Sequence, residues 1–117
     1  MTISQLRDEL SRGRYDEELS VLYSGDASGQ RPRAVRVAGT FLETFGDREG
    51  MMISAPGRTE LAGNHTDHQN GIVLCAAVTR GTLAAAAPSG DESVRVSSEG
   101  VGEISLRLDG SEPRPDE

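Results

Sequence analysis

The sequence predicts an α+β fold in which N-terminal helices pack on one side of a mixed β-sheet. Three observations predict it. Apolar residues recur at helical spacing as far as Phe45. From Met51 the period changes to short apolar runs and to strict alternation. Asn70-Gly71, a tight-turn signal, stands immediately before the longest apolar run.

Each element follows in order. Ile3, Leu6 and Leu10 share a helical face, and Leu19 and Leu22 continue it, but Gly13 interrupts. The stretch from Ile3 to about Tyr23 is therefore one broken amphipathic helix or two short ones. Ser24-Gly25-Asp26-Ala27-Ser28-Gly29 reads as a turn-rich break. The next helix places Ala34, Ala38, Phe41, Leu42 and Phe45 on one face, with Gly46 where a helix C-terminus favours positive φ. Met51 to Ala55 reads as a short strand stopped by Pro56-Gly57. Ile72 to Val78 is a continuous apolar run, as in a strand buried on both faces. Thr82 to Ala87 is the next strand, although its four alanines favour strands only weakly. Pro88-Ser89-Gly90-Asp91 is a turn. Val94 and Val96, then Ile104, Leu106 and Leu108, alternate with polar residues as two half-exposed strands. One domain over residues 1–108 is expected, with residues 109–117, rich in acid and proline, as a disordered tail.

Composition narrows the possible functions. A chain of 117 residues has room for one small domain. Its 12 basic and 19 acidic residues give a formal charge of −7, which argues against nonspecific nucleic-acid binding. Every basic residue is Arg, so a phosphate-loop lysine and Schiff-base chemistry are excluded. With no Trp, two Phe and two Tyr, the chain is thin in the side chains that contribute most to a core. The lone Cys75 forms no internal disulfide and fits a reducing compartment. The polar N-terminal residues lack a secretory apolar segment, and the run from Ile72 to Val78 is too short to span a bilayer. The expectation is a cytoplasmic protein without a membrane partner.

One segment differs from the rest. Ala55-Pro56-Gly57-Arg58-Thr59-Glu60-Leu61-Ala62-Gly63-Asn64-His65-Thr66-Asp67-His68-Gln69-Asn70-Gly71 sets polar and ionisable groups between two predicted strands. Loops between rigid strands commonly carry binding groups. Asn64, His65 and Asp67 are a compact set of donors and acceptors suited to a polyhydroxylated ligand, because a carboxylate can accept from two adjacent hydroxyls. Arg58 adds a fixed positive charge, useful beside phosphate or a carboxylate base. Simpler readings compete. Arg58 could be an ion-pair partner of Glu60, Asn64 and Asp67 could be turn residues, and Cys75 a buried small hydrophobe. His65, Asp67 and His68, even with Cys75, make no recognised zinc spacing, and no metal site is expected.

In this segment the chain resembles galactokinases, of the GHMP group of small-molecule kinases. Ala55-Pro56-Gly57-Arg58, then Gly63-Asn64-His65-Thr66-Asp67-His68 and Asn70-Gly71 before the apolar run, follow that family's N-terminal signature. The family's usual Glu and Tyr are Asn64 and His68 here, and its Asn is Glu60, a form similar to some bacterial members. The resemblance implies that His65 and Asp67 hydrogen-bond galactose hydroxyls, with Asn64 assisting. It implies that Arg58 lies near the catalytic aspartate and stabilises charge in phosphoryl transfer. ATP and Mg2+ are the family's cofactors and galactose its small-molecule partner. The family's phosphate-binding, catalytic-aspartate and C-terminal glycine-rich segments have no counterpart here, and Ser97-Ser98 falls on a predicted strand. The expectation is an N-terminal portion of a galactokinase, inactive by itself. A sugar-binding module without catalysis, or a kinase for an analogue such as N-acetylgalactosamine, are the alternatives.

Overall fold

The computed structural model describes residues 1–63 and 71–108. Asn64, His65, Asp67, His68 and Asn70, and the tail 109–117, lie outside the described residues.

Gly13, at φ +75°, divides the first helical stretch into α1 (Ile3–Ser11) and α2 (Asp16–Leu22). α1 opens on a capping box: the Thr2 hydroxyl accepts from the Gln5 N–H, and the Gln5 side chain accepts from the Thr2 N–H. α3 (Ala27–Phe45) begins inside the stretch expected to be a break. There the Asp26 carboxylate accepts from the Gly29 N–H at 3.1 Å and satisfies a donor that the first turn leaves open. Gly46, at φ +75°, ends α3 as its sequence position implied.

These helices hold the core. Leu10, Leu19, Tyr23 and Ala34 form a buried cluster, with Leu6, Tyr15 and Val35 packed against it. Arg31 of α3 forks onto the Asp16 carboxylate of α2, one arm at 2.8 Å. Residues 1–4 are tied to residues 47–50. The Ile3 N–H donates to Arg48 O at 2.9 Å, the Gly50 N–H to Met1 O at 3.1 Å, and Ser4 donates to Asp47 from both its N–H and its hydroxyl.

β1 (Met51–Ala62) pairs antiparallel with β2 (Leu74–Ala86), and β3 (Ser93–Ser98) pairs antiparallel with β4 (Gly102–Arg107). The class is α+β, helices first and strands after. Where a mixed sheet was expected, the described strands form two separate antiparallel ribbons. Parallel pairing needs a crossover of about a dozen or more residues, most often a helix, and no described helix lies between these strands.

Three further expectations are revised. Pro56-Gly57 does not stop the first strand; the ladder shifts register between them and continues to Ala62. The runs expected as separate strands around Val78 and Thr82 are one strand, β2. Nor is that strand covered on both faces: Ile72 precedes it at 94% exposed, Leu74 is 60% exposed and Val78 37%. Apolar sequence cannot bury itself without a covering layer, and the helices cover only the face carrying Met52 and Leu83. Cys75 is half-buried rather than buried. No described helix is long and apolar enough to cross a membrane.

Candidate functional site

Side chains alternate across a strand, so Arg58 and Glu60 share a face of β1, opposite Ala77 and Cys75 of β2. Arg58 Nη2 stands 3.5 Å from Glu60 Oε1. The Glu60 side chain is largely covered, at 17% exposure, while Arg58 reaches into solvent at 58%. The pairing that a bland reading would assign to Arg58 is therefore present.

Two register shifts bracket this pair, one between Pro56 and Gly57 and one between Glu60 and Ala62. At the first, only glycine lets the strands meet. A Cβ on Gly57 would lie 2.6 Å from Arg80 O, and one on Gly81 would lie 2.8 Å from Pro56 Cα. Pro56 faces Gly81 and has no N–H to give. The Gly81 carbonyl accepts instead from Arg33 Nη2 of α3 at 2.7 Å. No sequence pattern singled Arg33 out, because its partner is a backbone atom 48 residues away. At the second shift, Gly63 leaves the ribbon at φ +113° with a hypothetical Cβ only 2.7 Å from Val73 Cα. The two ends of the segment carrying Asn64, His65 and Asp67 therefore meet at Gly63 and Val73, a few residues beyond Arg58. The structure brings Arg58 and Glu60 together at the root of that segment. The other three site residues fall outside the described residues.

A cleft of about 800 Å³ lies between α3, β2 and β3, walled by Phe41, Phe45, Leu83, Ala85 and Val94, and it does not include Arg58. Ser97 and Ser98 close β3 and lead by a turn into β4, so they do not form the helix-N-terminal cradle that donor phosphates favour. Among the described residues no group of three His, Cys, Asp or Glu side chains could hold a metal. Among the described residues, two carboxylates are held below their ordinary value by neighbouring hydroxyls. Asp47 is lowered by the Ser4 hydroxyl and Asp91 by the Ser93 hydroxyl.

Comparison with known proteins finds the galactokinase galactose-binding signature over residues 39–88. That stretch runs from the last turns of α3 through β1 and β2 and contains Arg58, Glu60, Asn64, His65 and Asp67. A galactokinase of Enterococcus faecalis is 39% identical over 66 residues, which is 56% of this chain and 17% of that protein. A galactokinase of Bacillus subtilis is 43% identical over 74 residues, 58% of this chain and 19% of that protein. The matches thus span less than a fifth of either relative. No solved structure matches.

Proposed function

We propose that this chain, which resembles the N-terminal part of galactokinases and carries their galactose-binding signature, supplies the sugar side of an ATP-dependent galactose kinase. The observation that carries the reading is the coincidence of the signature with the β1–β2 ribbon, which sets Arg58 beside Glu60 at the root of the segment carrying Asn64, His65 and Asp67. Asp67 accepts hydrogen bonds from two ring hydroxyls, His65 and Asn64 complete the polar contacts, and galactose is held in register for phosphorylation at its anomeric hydroxyl. Positioning is itself catalytic in phosphoryl transfer, because little covalent work is left to the protein. Arg58 offsets charge on the transferring group and favours the ionised form of a neighbouring carboxylate base. The chemistry supplied by ATP and Mg2+ is donation of the γ-phosphoryl, giving galactose 1-phosphate. The described residues form no cradle for the donor, so the reading for this chain is confined to the sugar.

Calorimetric titration of galactose into the wild-type chain and into Asp67→Ala tests it. The substitution removes two hydrogen bonds to a charged acceptor and should weaken binding by roughly 2–5 kcal/mol. Unchanged affinity in Asp67→Ala would remove this segment from the sugar site. Galactose-dependent ADP formation separates a kinase from a module that only binds sugar.

A further inference from the structure

We propose that Arg33 is a positioning residue: by holding the Gly81 carbonyl it fixes the register break at Pro56-Gly57 and so sets where Arg58 stands. The relevance to sugar binding rests on the function proposed above; the mechanical role does not.

Three observations converge on it. Arg33 is anchored at its own helix, Nη1 donating to Gln30 Oε1 at 3.2 Å, while Nη2 reaches Gly81 O at 2.7 Å. Both contacts are partly buried, where a hydrogen bond from a charged donor counts for more than at an open surface. Gly81 stands opposite the one residue of β1 that cannot donate a ladder hydrogen bond, Pro56. The strands also touch so closely here that Gly57 and Gly81 leave no room for a Cβ.

A bulge is an irregular point at which a ladder can slip, and a slip of one residue turns every following side chain to the other face. Arg58 is the second residue after the break, so a slip there would turn it, and Glu60 with it, to the opposite face of the ribbon. A guanidinium planted on α3 and gripping the carbonyl at that point ties the ladder offset to a rigid helix.

The test compares wild type, Arg33→Met, which keeps most of the aliphatic stem, and Arg33→Lys, which can still donate one hydrogen bond. Amide hydrogen exchange and the Arg58 Nε–H resonance are read in the full chain, and galactose affinity by calorimetry. In Arg33→Met, exchange at residues 57–60 and 76–78 should quicken roughly ten- to a hundredfold. The Arg58 resonance should shift, and amides around Leu10 and Leu19 should keep their protection. Arg33→Lys should recover part of both effects. Acceleration spread equally over the helical core would mean a merely structural arginine and would overturn the proposal, as would an unchanged Arg58 resonance. If wild type binds no galactose, the proposed function fails; the exchange pattern and the resonance then still decide the role of Arg33.

Discussion

At the scale of single residues, Gly63 is where backbone and site meet. Its φ of +113° is a region that side chains rarely adopt, and a Cβ there would press on Val73 Cα and Ile72 O. Gly63→Ala should therefore cost roughly 1–3 kcal/mol of stability, read from urea unfolding, and should weaken galactose binding in the same protein. Asp47 gives a second prediction. The Ser4 hydroxyl, and after it the Ser4 N–H, hold its carboxyl below the ordinary value of 3.8. A carboxylate lowered in the folded state contributes stability at pH above its unfolded value. That contribution fades as pH falls through the lowered folded value, so the tie between α1 and residue 47 loosens only under acid conditions. A carbon-detected titration of the Asp47 carboxyl should give a midpoint below 3.8 in wild type, and Ser4→Ala should raise it. At this scale the site was legible by residue type and only partly by place. Arg58 could be recognised from its neighbours Pro56 and Gly57, but that it sits on a strand follows from the register shift, which depends on a carbonyl partner remote in sequence.

At the scale of elements, helix ends were read well where a glycine marks them and poorly where a side chain does. Gly13 and Gly46 fall where the sequence places them, because positive φ is a local property. Asp26 was read as part of a turn, yet it starts α3, since an Asp serves either purpose and only the hydrogen bond to Gly29 decides. Asp26→Ala should destabilise the chain by about 1 kcal/mol, measured as a lowered denaturation midpoint with unchanged m-value. The strands show the opposite limit. Their existence was visible in the alternation of Val94, Val96, Ile104 and Leu106, which do share one face of the β3–β4 ribbon. Their burial was not, because burial depends on what packs against a face, and that lies outside the element itself.

At the scale of the whole molecule, the chain is more open than its length requires. A compact domain of this size has a radius of gyration near 13 Å, whereas this one measures 17.4 Å. Its accessible surface of 8784 Å² likewise exceeds the roughly 6,100 Å² expected of a compact monomer of this mass. The buried apolar residues among those described are Ile3, Leu10, Leu19, Tyr23, Ala34 and Ala38, nearly all of them helical, while Met51, Ile53, Ile104 and Leu106 face outward. Calorimetry of the purified chain should show a broad, weakly cooperative transition at low temperature, accompanied by binding of a hydrophobic dye before heating. A sharp monomeric transition without dye binding would contradict this.

The tie between residues 1–4 and 47–50 bears on the order in which the chain can assemble during synthesis. Ser4 and Asp47 are 43 residues apart, and the fully buried Ile3 gives its N–H to Arg48 in the stretch that follows α3. The tie at the start of α1 therefore cannot close until residue 50 has emerged, although Leu10 can pack on Leu19, Tyr23 and Ala34 before then. α2 and α3 can meet earlier through the nearby pair Asp16 and Arg31, at far smaller loop-closure cost. Vectorial synthesis thus leaves the start of α1 without its partners for longer than Leu10, so a nascent-chain chaperone could meet Ile3 before residues 47–50 do.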